Sequence, residues 1–84
     1  MRYSFVYSYR GKDTFTGKIR IVELNGNKTE NVMIFNFKKA SRETIKELKE
    51  LTFAMLRYLN DNIPLGKKNV LLLFKYRVCG SEIS

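Results

Sequence analysis

"NVLLLFKYRV", Asn69 to Val78, is the stretch on which the fold turns. It is apolar at every position from Val70 to Phe74, and then alternates between cations and apolar residues. Successive strand side chains point to opposite faces, so an unbroken apolar run suits a strand covered on both sides. Read in this way, residues 69–78 form a central strand. Val70, Leu72, Phe74 and Tyr76 line one face, and Leu71, Leu73, Lys75 and Arg77 the other.

Upstream of this stretch, Leu65 to Asn69 ("LGKKN") reads as a loop carrying Lys67 and Lys68. Before the loop, Ile45, Leu48, Thr52, Met55 and Leu59 recur every three or four residues, the spacing of one helical face. Ser41 is placed to cap the helix, and Glu43 falls in the first turn, where negative charge suits the helix dipole. The helix is expected to end between Asn60 and Asn62, ahead of Pro64.

Three strands are expected before the helix: Arg2 to Arg10, Phe15 to Leu24 and Lys28 to Phe37. In the first, Tyr3, Phe5, Tyr7 and Tyr9 alternate with small or polar residues, so one face is aromatic. Gly11 to Thr14 makes the first turn, and Asn25-Gly26 signals a tight type I′ hairpin. Pairing outward from that hairpin sets Ile19 against Val32 and Ile21 against Glu30. Ile19, Ile21, Val32 and Ile34 then join the four aromatic residues beneath the helix. The expected architecture is an α+β fold: a four-stranded mixed sheet, ordered β-β-β-α-β in the chain, with one helix packed on one face. A parallel last strand joined through the helix gives sheet order 4-1-2-3, with 1-2-3-4 as the rival. Residues 1–84 read as a single small basic domain.

The face turned away from the helix then carries Arg2, Arg10, Lys18, Arg20, Lys75 and Arg77 around Val6, Val22, Met33, Phe35 and Phe37, with no acidic residue. This pattern has three readings. Cations can neutralise phosphates while aromatic residues stack on bases or fill a groove. Alternatively, Met33, Phe35 and Phe37 form a contact patch for a protein partner or a second copy. In the third, the register slips by one residue and those three side chains enter the core. On the helix, Arg42, Lys46, Lys49, Phe53 and Arg57 share a cationic stripe off the apolar face. Phe53 either anchors a partner or folds over a strand edge.

The chain has 16 Lys and Arg against 8 Asp and Glu, a net charge of +8, which draws polyanions. It has no histidine and one cysteine, Cys79, read as a small semi-buried residue. No catalytic site, zinc knuckle, metal site or cofactor is therefore expected. One thiol and the lack of an apolar block of membrane-spanning length suit a cytoplasmic protein without membrane contact. Abundant Lys, Asn and Ile, with alanine only at Ala40 and Ala54, fit a phage or mobile-element source. The element order is similar to that of small DNA-binding modules with three antiparallel strands and a helix, such as phage integrase arm-binding domains. That likeness is of fold alone, and the long aromatic first strand and the added last strand depart from it. The expected function is non-catalytic binding of DNA or RNA. The alternative is a protein-interaction module acting through self-association or as a small inhibitor.

Overall fold

The computed structural model describes residues 2–78 and 82–83, with side chains up to Tyr76. Cys79 and the side chain of Arg77 lie outside the described residues. β1 (Arg2–Gly11), β2 (Phe15–Asn25) and β3 (Lys28–Ala40) pair in chain order as an antiparallel sheet. Two helices follow, α1 (Arg42–Asp61) and α2 (Lys67–Val78).

The expected strand over residues 69–78 is thus a helix, which removes the four-stranded mixed sheet and the 4-1-2-3 order. The class remains α+β, with three antiparallel strands and two helices. Among the described residues beyond α2, the two-residue segment Glu82–Ile83 runs beside β3, parallel to it at Asn36 and Phe37. An apolar run of this length fits a strand or a helix equally well by periodicity, and tertiary contacts decide. Coiling residues 69–78 puts Leu72 and Tyr76 one turn apart, and both enter the core. It also brings the Tyr76 hydroxyl and Lys75 Nζ to Glu47 Oε1 on α1.

These contacts make the docking of α2 sensitive to acid. The Tyr76 hydroxyl and then Lys75 hold the Glu47 carboxyl below its ordinary value, against the opposing effect of burial. A carboxylate with a lowered folded-state pKa stabilises the fold above its unfolded value, about 4.3, and loses that contribution as pH falls through the folded value. The protection of α2 amides, measured relative to their intrinsic exchange rate at each pH, should therefore fall below about pH 4.3. Glu47→Gln should flatten that dependence and cost about 1 kcal/mol at neutral pH. Hydrogen exchange of the two proteins across this range checks both outcomes.

α1 has the expected bounds for the expected reasons. Ser41 Oγ accepts from the Thr44 amide at 3.2 Å. At the other end Asn62 adopts φ 58°, its amide donates to the Tyr58 carbonyl, and the Ile63 amide donates to the Arg57 carbonyl. The left-handed Asn62 and its bond to Tyr58 make the αL form of helix stop. Thr52 is fully buried on the apolar face without loss, because its hydroxyl donates to the Leu48 carbonyl at 2.7 Å. The side chain of Asn60 binds both the amide and the carbonyl of Tyr3, closing part of the free edge of β1.

β3 departs from the expected pairing in two ways. The turn residues are Gly26 and Asn27, so that Asn25 faces Lys28, and of the two only Gly26 has positive φ. This is the sign pattern of a type II′ turn rather than I′. The shift is two residues and leaves the faces unchanged. A bulge at Val32 then flips them: Val22 faces Asn31, whereas Ile21 faces Met33 and Ile19 faces Phe35. Met33, Phe35 and Phe37 therefore turn toward α1, and Ile34 and Asn36 turn away. The physical reason is area. Each phenylalanine gains about 1.5–3 kcal/mol on burial, and the unbulged register would have buried Asn36 in place of Phe37.

One core results, with Ile19, Ile21, Phe35, Phe37, Leu48 and Leu51 at its centre and Tyr3, Phe5, Tyr7 and Tyr9 packed at its margin. The aromatic face of β1 lies toward the helix, as expected. Gly17 sits between Tyr9 and Phe37 in the sheet, and their rings meet across it with centroids 5.6 Å apart. Its φ is 155°, and an added Cβ would lie 2.2 Å from the Ser8 carbonyl oxygen and 2.4 Å from Tyr9 Cα. Gly17→Ala should therefore cost about 3 kcal/mol or more by forcing β1 and β2 apart. A urea-denaturation midpoint equal to that of the wild type would contradict this close approach.

Candidate nucleic-acid interface

Both helices pack on one side of the sheet, with α1 across β1 and β2 and α2 against α1. No described helix packs on the other side. The strand register sets the side chains of that face in rows: Ser8, Lys18 and Asn36 form one, Val6, Arg20 and Ile34 the next, and Ser4, Val22 and Asn31 a third. Arg10 beside Thr16 and Arg2 beside Leu24 extend the surface at its two ends. Val22 is buried here, outside the helix-side core, which gives the face a dry centre. Glu23 and Glu30 pair on the helix side, so no carboxylate among the described side chains stands in these rows, and the backbone of Glu82 runs beside Asn36.

Two adjoining open hollows of 310 and 420 Å³ flank Gly17 on this surface. Lys18, Lys38, Arg10, Ser8, Thr16 and Asn36 line them, with Tyr9 and Phe37 beside Gly17. Thr16 Oγ1 already accepts from the Lys39 amide, which fixes the hydroxyl in place. Arg20 is fixed too: its Nη1 donates to Asn31 Oδ1 at 3.1 Å, while its Nε is buried without a partner.

The structure therefore brings Arg10, Lys18 and Arg20 together and separates them from the other expected cations. Lys75 lies on α2, paired with Glu47 at 3.2 Å, and Arg77 belongs to the same helix. Arg42, Lys46, Lys49 and Arg57 lie on α1, across the sheet. Of these, Arg42 Nη2 donates to the Lys12 carbonyl in the first turn, and Lys49 Nζ stands 5.2 Å from the Tyr7 ring and 5.5 Å from the Tyr9 ring. Burial raises the pKa of the Tyr7 hydroxyl, and that oxygen has no hydrogen-bond partner. A hydrogen bond to Glu23 raises that of Tyr3.

The expected contact patch of Met33, Phe35 and Phe37 does not exist as a surface: Phe35 is 2% exposed, Phe37 is 3%, and Met33 packs against the core. This removes the support for those residues as a docking site. Phe53 is half exposed and sets its ring edge-on to Phe5 at 5.3 Å, so it does fold over the first strand. The expected register put Ile34 and Asn36 on the helix side; they and Lys38 face outward because of the bulge at Val32, which leaves no mark in a hydrophobic pattern. Exposed apolar residues occur instead on α2, at Val70, Leu71 and Phe74.

Among the described residues, no three His, Cys, Asp or Glu side chains come together to hold a metal ion. No described helix is long and apolar enough to cross a membrane. No family model, curated protein or solved structure matches this chain.

Proposed function

We propose that this chain is a non-catalytic nucleic-acid-binding module whose contact surface is the outer face of the sheet. The observation that carries the reading is a sheet face turned away from both helices, with Arg2, Arg10, Lys18, Arg20 and Lys38 and no acid among the described side chains between them. Acids are plentiful elsewhere: Glu43, Glu47 and Glu50 all stand on α1. The charge is therefore segregated, and a surface of one sign raises the local concentration of an oppositely charged partner. Hydroxyls and amides from Ser8, Thr16 and Asn36 add neutral donors of the kind that fix a phosphate backbone in register. A cytoplasmic setting is consistent with this role.

Titration of the protein into fluorescent oligonucleotides at two salt concentrations tests the reading. Three to five phosphate contacts should give a log–log salt slope of about −3 to −5. No binding at low salt to any DNA or RNA probe would end it.

A second reading rests on α2. Leu71 and Phe74 are 60% and 63% exposed and stand one turn apart, with Val70 beside them. An apolar ridge of this kind suits self-association. Sedimentation should then show a dimer that Phe74→Asp dissociates. A wild-type monomer at high concentration would exclude it.

A further inference from the structure

The cationic stripe of α1 has no part in the outer face, yet it runs beside a strand edge. β1 lies at the edge of the sheet, paired with β2, and its register is unbroken from Arg2 to Gly11. In an antiparallel ladder the amide and carbonyl of one residue point to one side, and those of the next residue to the other. Asn60 fixes which residues point away from β2. Its Oδ1 accepts from the Tyr3 amide at 2.8 Å, and its Nδ2 donates to the Tyr3 carbonyl at 3.0 Å. Tyr3 therefore turns its main chain outward, and the unbroken register makes Phe5, Tyr7 and Tyr9 do the same, while Ser4, Val6 and Ser8 bond to β2. A carboxamide carries the donor and the acceptor of a peptide unit, so Asn60 stands in for one residue of an added strand. Among the described residues, none bonds the outward amides and carbonyls of Phe5, Tyr7 and Tyr9.

α1 follows this edge in the opposite direction. Asn60 meets Tyr3, the Phe53 ring meets Phe5 at 5.3 Å, Lys49 Nζ stands over Tyr7 and Tyr9, and Arg42 reaches the Lys12 carbonyl. Lys46 and Arg57, on the same stripe, are exposed. Glu47 and Glu50 turn instead to α2, where they meet Lys75, Tyr76 and Lys68.

We infer that the β1 edge accepts an extended acidic segment of a partner protein as an added strand, seated beside the cationic stripe of α1. This surface is separate from the outer face and does not depend on the reading above. Main-chain bonds to Phe5, Tyr7 and Tyr9 supply the affinity, and alternate side chains of the added strand supply the choice. Residues opposite those three point to the helix side with them. The one opposite Phe5 meets the half-exposed Phe53 and suits an apolar side chain. Those opposite Tyr7 and Tyr9 meet Lys49 and suit carboxylates.

Other occupants match this edge poorly. A nucleic acid has no ladder of amides and carbonyls at strand spacing. A second copy adding its β1 about Val6 sets Arg2 of one chain opposite Arg10 of the other, and β1 has no acid to offset them. It also brings two cationic stripes together.

The test uses the full chain and a blocked peptide of about eight residues. The peptide is threonine throughout except for acids at two alternate positions and a leucine two residues further on, the order that antiparallel addition requires. In the free protein the amides of Phe5, Tyr7 and Tyr9 should exchange fast and those of Ser4, Val6 and Ser8 slowly. Saturating peptide should slow the first three about 10-fold or more. N-methylation of the acidic and leucine positions should abolish binding, whereas N-methylation of the threonines between them should not. Lys46→Glu/Lys49→Glu should bind the peptide about 10-fold or more weakly. Unchanged exchange at Phe5, Tyr7 and Tyr9 in the wild type overturns the inference. Equal binding of a peptide with lysines for acids, or of both N-methylated forms, does so too. Slowing of the same amides by higher protein concentration alone assigns the edge to a second copy, and slowing by an oligonucleotide assigns the stripe to nucleic acid. Either result overturns the acidic partner.

Discussion

Phe35→Asp is expected to leave the domain unfolded at 25 °C, while Val32→Asp, three residues earlier in the same strand, leaves it folded. Phe35 is 2% exposed between β2 and the helices, and Val32 is the 46%-exposed bulge residue. Truncating a buried phenylalanine costs about 3–5 kcal/mol, and a carboxylate in its place must also be desolvated or protonated. Small domains have about 5–15 kcal/mol to lose, and one of this size stands near the lower end. An exposed substitution such as Val32→Asp shifts stability by about 0.5 kcal/mol. Far-UV circular dichroism with urea titration of both variants reads the difference. The opposite ranking would show that β3 pairs without its bulge, and would return Met33, Phe35 and Phe37 to the surface.

The second large effect concerns binding. The double variant Lys18→Glu/Arg20→Glu should fold normally and lose about 100-fold or more in affinity for nucleic acid, because two attractions to phosphate become repulsions. Lys46→Glu/Arg57→Glu makes the same change in net charge on α1, behind the sheet. It should lose about 5-fold or less, through the weakened long-range field alone. Fluorescence anisotropy at one fixed salt concentration compares the two. Equal losses would mean that net charge rather than the sheet face drives the interaction.

The presence of both hairpins, though not the turn type or register of the second, and α1 with its two ends were legible from residues 2–62, because their signals are local. Alternating Tyr3, Phe5, Tyr7 and Tyr9 specify a one-sided strand, and Ser41 and Asn62 satisfy the helix ends within one turn of themselves. The cations of β1 and β2 were placed on the correct face for the same reason. Lys75 and Arg77 were not, since their position depended on whether residues 69–78 extend or coil.

The sequence by itself determined the charge, the long amphipathic helix and the polarity of the first two strands. Each follows from composition, or from a period measured within about ten residues. Tertiary structure alone decided the fate of residues 69–78 and the parity of β3. The first depended on Glu47 and the open side of the core, far away in the chain. The second depended on which of two interleaved apolar sets buries more area, an energy that exists only once the sheet meets the helices.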